Sequence, residues 1–312
     1  MVVVIIVLVL TALLLPAVQT SRLTPEGCRH WCVSRLQQLA EALRIYHGKY
    51  GSFPPAYVAD KMGKPVHSWR VQMLPFLDAR DAYEQYDFNE AWDSPKNSAV
   101  VLQRYSERRY GKAFFCPGDP SWRLVGQQQE NNLTSYLAVI GQQTAWRGTM
   151  PTKLSDLPDG GRRMILLVES GDRAINWKEP KDLSYEEAMS GINRREVPCI
   201  FSTHAEGGDY FHHARRGAYV AFVDGSVHFL PEDISPDDLR ALLTGDLTRD
   251  MDLDSLARPS LNWSHIVALI VLIASGGVLI VGSLVQRLRR TTRTKTAETT
   301  DEHGSTQIEA GQ

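Results

Sequence analysis

The sequence predicts an α+β protein in which a long helix comes first, an antiparallel β-sheet head follows, and an apolar segment closes each end of the chain. Three observations carry this. Apolar residues recur at three- and four-residue steps between Cys32 and His47, which is one face of a helix. From residue 113 onward the pattern becomes short apolar runs separated by Gly, Pro, Asp and Asn, which is the signature of strands and turns. Residues 266–285 contain no charge at all, enough helix to cross roughly 30 Å of hydrocarbon.

The N-terminal segment, residues 1–19, is continuously apolar and spans about 26 Å as a helix up to Val18, short but sufficient for a membrane span. A cleaved signal peptide competes with that reading; the segment has no basic start and "AVQ" is a poor cleavage site, so a retained anchor is expected. Residues 20–50 continue as helix. Leu36, Leu39, Leu43 and Tyr46, with Ala40 beside them, form the stripe that needs a partner surface.

Residues 51–245 are expected to form the head. Ser68 caps a short helix in "HSWRVQMLPFL", and Ser94 followed by Pro95 caps another in "DSPKNSAVV". The strand candidates are "AFFC", "SYLAVIG", "RMILLVES", "AYVAFV" and "SVHFL". Between the last two, Asp224 and Gly225 predict a two-residue hairpin turn of type I′, which needs positive φ at both central positions. Alternation puts Tyr219, Ala221 and Val223 on one face and Val220 and Phe222 on the other, so both faces are apolar and the strand is interior.

Residues 246–264 read as a linker, 265–285 as a transmembrane helix and 286–312 as a polar tail. Five basic residues between Arg287 and Lys295 follow the span, whereas Asp250, Asp252, Asp254 and one Arg258 precede it, so the tail is expected in the cytoplasm and the head outside. The net charge of −2 with 22% charged residues gives no electrostatic footprint for nucleic acid. The membrane bilayer is the partner the composition implies.

Cysteines 28, 32, 116 and 199 allow two bridges in an oxidising compartment. Cys28 and Cys32 lie one helical turn apart and could be half of a metal site, but no second close pair accompanies them.

Taken in order, "CVSRLQQLAEALRIYHGKYGSFPPAYV", "HSWRVQMLPFLD", "YDFNEAWDSPKN", "FFCPGDP", "SYLAVIG", "INWKEPKDL" and "FVDGSVHFL" resemble the bacterial domain of unknown function 1559 family, whose members are similar to prepilins and carry a C-terminal H-x9-D-G sequence. The resemblance runs from about residue 3 to 231. It implies a type IV pilin or pseudopilin-like helix on an α+β head, with contacts to other envelope proteins. It also implies that Cys32 and Cys116, at the family's recurrent cysteine positions, pair, closing a loop of more than 80 residues at roughly 4 kcal/mol; Cys28 and Cys199 would then pair or stay free. Three departures stand out. The apolar stretch lacks the basic leader and peptidase site that usually precede it and has no acidic residue at its fifth position, ten residues separate His213 from Asp224, and the second span argues against extraction into a fibre.

Sharper chemistry is weak in this chain. His204, Asp209, His212, His213, Asp224 and His228 crowd into 25 residues, with His213 and Asp224 the candidate metal ligands, but they lack metal-ligand spacing. Neither "ESGD" nor "DGSV" has the form of a nucleophile elbow, and "GGR" at 160–162 precedes a strand, where a phosphate loop precedes a helix. Trp69, Trp92, Trp122, Trp146 and Trp177, with Tyr83, Tyr86 and Tyr105, form either a ligand-binding face or core, and Asp87, Glu90 and Asp93 lack EF-hand spacing. No catalytic residue and no cofactor is therefore expected. The leading expectation is a non-enzymatic, membrane-anchored, pseudopilin-like envelope protein that makes protein–protein contacts; the alternative is a tethered ligand- or metal-binding ectodomain using the histidine-rich approach to Asp224.

Overall fold

The computed structural model describes residues 25–102, 113–121, 132–194, 196–208, 211–246, 248, 251–258, 260–271, 273 and 282. The described residues fall in two units, one within 25–208 and 214–258 and one within 211–213 and 260–282.

The larger unit begins with α1, Pro25–Tyr50. Cys32, Leu36, Leu39, Ala40 and Leu43 of its stripe are completely buried, and Tyr46 is half-buried. After β1, Tyr57–Ala59, and β2, Pro65–Ser68, come α2, Trp69–Met73, α3, Arg80–Gln85, and α4, Pro95–Ser98. Ser68 Oγ accepts from Arg70 N and Ser94 Oγ from Asn97 N, the two caps expected from sequence. Short strands follow: β3, Leu133–Thr134, β4, Tyr136–Leu137, β5, Val139–Ile140, β6, Ile165–Glu169, β7, Ile175–Asn176, and β8, Leu183–Ser184. Then come α5, Tyr185–Met189, β9, Ala205–Glu206, and, in the smaller unit, β10, His212–His213. The larger unit resumes with β11, Arg215–Phe222, β12, Val227–Pro231, α6, Pro236–Thr244, and α7, Leu253–Leu256.

The central sheet runs β12-β11-β6-β4, all antiparallel, with β9 also paired to β11. Its two faces make two cores. Tyr219, Ala221 and Val223 face α1, while Ala218, Val220 and Phe222 join Leu239, Leu242 and Leu243 of α6 on the other side. The period-2 reading of β11 is therefore right on both faces. Gly217 lets β12 approach closely: a Cβ there would lie 2.1 Å from Leu230 O.

Two expectations need correction. The Asp224–Gly225 connection is a three-residue loop: Gly225 N donates to Phe222 O at 3.0 Å, Phe222 N to Ser226 O at 2.8 Å, and only Gly225 has positive φ, 91°. A type I turn closed by a left-handed glycine also matches strand twist, and Asp224 stabilises it by accepting from Ser226 N at 2.9 Å. Second, "AFFC" is not a strand. Its Cys116 N donates to Ser135 Oγ at 2.8 Å, and Pro117 cannot continue a ladder. Of the two readings of the aromatic residues, core is the one found for Trp69, Trp146, Trp177 and Tyr86, which are buried, Trp69 and Trp146 with ring centroids 5.2 Å apart; Trp92 and Tyr83 are half-buried, and Trp122 and Tyr105 lie outside the described residues.

In the smaller unit, β10 pairs antiparallel with β13, Ser260–Leu261, and residues 263–271 are helical behind an Asn262 whose Oδ1 accepts from His265 N at 3.3 Å. The predicted span 1–19 lies outside the described residues, as does most of 265–285. No helix among the described residues is long and apolar enough to cross a membrane.

Candidate functional site

Four elements meet at one buried point between α1 and the sheet. Cys32 sits on the inner face of α1 and is bonded to Cys116, with Sγ–Sγ 2.07 Å and Cα–Cα 5.2 Å across 84 residues of chain. Glu169 ends the apolar strand β6, and His204 immediately precedes β9. Cys116 Sγ lies 3.3 Å from His204 Nε2, and His204 Nε2 lies 3.5 Å from Glu169 Oε1. The four sulfur, nitrogen and oxygen atoms all fall within 4.8 Å of one another, and none of the four residues is more than 4% exposed.

Each side chain is held by backbone geometry around it. Glu169 Oε2 accepts from Tyr219 N at 2.9 Å, across the β6–β11 pairing. His204 N donates to Ser202 Oγ at 3.1 Å, and Gly217 N donates to His204 O at 3.2 Å. Tyr219 stacks edge-on against the imidazole, with centroids 5.5 Å apart, and donates its hydroxyl to Glu206, which also pairs with Arg29 of α1 at 2.9 Å. Tyr136 Oη donates to Cys32 O at 3.3 Å.

A second carboxyl lies just behind the bridge. Asp119 Oδ2 accepts from Ser135 Oγ at 2.5 Å and Asp119 Oδ1 from Ser121 N at 2.7 Å, while Ser135 Oγ itself accepts from Cys116 N. A cleft bounded by Cys116, Asp119, Ser135, Glu169 and Ser202 opens here, with a volume of about 10 Å³ for water centres, room for one water.

Burial dominates the electrostatics. It pushes the Glu169 carboxyl from 4.5 up to about 8, with the Tyr219 N–H pulling the other way. Asp119 rises from 3.8 to about 6 for the same reason, against the hydrogen bonds from Ser135 and Ser121. Near neutral pH Glu169 therefore carries its proton. With the disulfide intact the sulfurs offer no thiolate, so the cluster is neither a nucleophile nor a closed set of metal ligands.

The stretch that contains both half-cystines, the strand-rich head and the Asp-Gly loop is matched by a family model described as "Protein of unknown function (DUF1559)", over residues 29–237. The chain belongs to the DUF1559 family. No curated protein and no solved structure matches it.

Within this DUF1559 head, the structure brings Cys32 and Cys116 together, and of the predicted histidine constellation only His204 joins a donor cluster among the described residues. Asp224 is exposed and engaged by Ser226; His213 is exposed on β10 in the smaller unit. His228 is half-buried with its ring edge-on to Phe222 at 5.5 Å, and Asp209 lies outside the described residues. His213 and Asp224 thus enter no donor cluster among the described residues; His204 alone of that segment does. Cys199 is buried and donates to Arg194 O at 3.2 Å, and the Cys28 side chain lies outside the described residues. Asp87 of the calcium candidate is held by Lys96 at 2.6 Å, which pulls its carboxyl down to about 2.

Glu169, Asp119 and Ser135 were not singled out from sequence. One signal existed for Glu169: it is the carboxyl that closes the apolar run "MILLV" of a strand with two apolar faces. Asp119 and Ser135 had none, because their roles depend on where Cys116 is tied.

Proposed function

We propose that this DUF1559 protein is a non-enzymatic, membrane-anchored envelope protein whose head, locked onto a pilin-like helix, makes protein–protein contacts outside the cytoplasm. The observation that carries the reading is the buried Cys32–Cys116 bridge, which fastens α1 to the head. A structural disulfide of this kind persists in oxidising compartments and is rare in the cytosol. The apolar sequences at 1–19 and 265–285 and the basic run from Arg287 to Lys295 supply the anchor and its orientation. Locking α1 to the sheet also makes helix and head one rigid presenting surface, whose outward side includes the exposed Trp31 and Ile45.

Trapping thiols with an alkylating reagent in intact cells, followed by non-reducing electrophoresis, tests the compartment. The Cys32–Cys116 bridge is expected to be oxidised, with an engineered C-terminal tag protected from external protease and a tag in the head digested. A reduced pair together with a digested C-terminal tag overturns the reading. A photo-reactive residue at Trp31 or Ile45 then tests the contacts, with a discrete adduct to a second envelope protein as the expected result.

A further inference from the structure

The disulfide is one state of a larger donor set. We propose that when the Cys32–Cys116 bond is opened, Cys32, Cys116, His204 and Glu169 form a four-coordinate site for a divalent ion of the zinc class, and that the metal then takes over the bridge's task of holding α1 on the head. This goes beyond the envelope-scaffold reading and does not depend on it.

Chemistry and geometry both point there. Two thiolates, an imidazole nitrogen and a carboxylate oxygen suit zinc-class ions and not calcium or magnesium, which prefer oxygen donors throughout. With bonds of about 2.0–2.3 Å, the edges of a tetrahedral site are roughly 3.3–3.8 Å. The two heteroatom contacts already present, 3.3 Å from Cys116 Sγ to His204 Nε2 and 3.5 Å from there to Glu169 Oε1, fall within or close to that range. The sulfurs must separate from 2.07 Å, and losing their bond frees both side chains to rotate, with all four donor atoms already within 4.8 Å of one another.

The surroundings are those of a ligand set. Glu169 Oε1 is buried and makes no hydrogen bond, although its sister oxygen is held by Tyr219 N. Cys116 is positioned through Ser135 Oγ on its backbone N–H, His204 through Ser202 and Gly217, and Cys32 through Tyr136 Oη on its carbonyl. Such outer contacts fix the direction in which ligands point. The neighbouring carboxyl of Asp119 has its oxygens taken by Ser135 and Ser121.

Opening the bridge takes two electrons and two protons. A dithiol supplies them by exchange, ending as its own disulfide; in the test a water-soluble phosphine does so, taking oxygen from water to become the phosphine oxide. Metal binding then releases the two thiol protons and the proton held by Glu169 to water.

The experiment uses the full-length chain carrying Cys28→Ser and Cys199→Ser, so that only the pair can supply thiolate. After reduction with phosphine, cobalt(II) is added as an optical probe and zinc as competitor. One cobalt per chain is expected, with thiolate-to-cobalt charge-transfer absorption and tetrahedral ligand-field bands that zinc abolishes. The oxidised chain is expected to show neither. Glu169→Gln and His204→Gln are each expected to weaken binding by at least about 100-fold, because losing a direct ligand exceeds the roughly 10–100-fold cost of disturbing outer-shell contacts. Should the reduced chain lose its circular dichroism, zinc is expected to restore it and to shield both thiols from alkylation. A reduced chain that binds no cobalt, or a folded one that binds it equally when oxidised or when both Glu169 and His204 are replaced, overturns the proposal; so does a reduced, unfolded chain that zinc fails to refold.

Discussion

Two buried carboxyls on the same head, Asp182 and Glu169, are treated in opposite ways. Asp182 is fully enclosed but surrounded by donors. Arg70 Nη2 reaches it at 2.6 Å, Trp69 Nε1 at 3.3 Å and Ala138 N at 2.8 Å, and the guanidinium also donates to Tyr136 O at 3.0 Å. Glu169, equally enclosed, has one backbone N–H, the Ser202 side chain and an imidazole at 3.5 Å, and no guanidinium or ammonium pairs with it among the described residues. In both, burial is the largest influence and pushes the carboxyl up; at Asp182 the Arg70 cation opposes it. The first is a satisfied pair that specifies how α2 meets the sheet. The second leaves one oxygen of Glu169, Oε1, without a hydrogen bond beside a sulfur bridge, and such shortfalls collect where a protein does chemistry.

Removing the cation from the first site should have the largest effect. Arg70→Met strands a buried carboxylate and is expected to cost about 5 kcal/mol in urea unfolding, whereas Arg70→Met with Asp182→Leu should regain most of that loss. If the single and double variants are equally unstable, the pair is not what holds that corner. Opening the bridge comes next: Cys116→Ser is expected to lose about 4 kcal/mol, because an 84-residue separation is no longer closed in the unfolded chain. The same measurement on phosphine-reduced protein should agree when metal is excluded.

The third prediction concerns pH and separates the two carboxyls directly. Folded Glu169 holds its proton up to about 8 whereas the unfolded chain releases it near 4.5, so between those values the native state binds the extra proton. Its contribution to stability is fully present below 4.5 and is lost as pH rises toward 8. Asp119, raised from 3.8 to about 6, adds the same sign in the lower part of the window. Glu169→Gln should flatten the profile and, near pH 8, recover on the order of 2 kcal/mol relative to the parent chain. An unchanged slope would show that Glu169 is not the titrating group. The smallest effect is at the Asp-Gly loop: Asp224→Ala removes the acceptor for Ser226 on an exposed turn and should cost about 0.5–1 kcal/mol without touching cobalt binding.

Much of the scaffold was legible because it depends on short-range patterns. The α1 stripe, the caps at Ser68 and Ser94 and the two-faced β11 each follow from periodicity or from a side chain bonding a backbone group three residues away or nearer. The site was less so. Crowding of His204, His212, His213, Asp224 and His228 in the chain suggested a constellation, yet a strand points neighbours to opposite sides and the hairpin carries Asp224 out to its exposed tip. The residues that do meet come from positions 32, 116, 169 and 204, and no window of sequence contains two of them.

What the sequence alone determined is therefore the helix-then-strands order, the apolar ends and the family, since each is written in local spacing or in an ordered run of motifs. The third dimension decided which carboxyl is paired and which is left facing an imidazole and a sulfur bridge. The physical reason is that desolvation depends on everything packed around a group, and for Glu169 those surroundings arrive from α1, the Cys116 loop, β11 and the turn before β9, brought together only when the sheet closes against the helix.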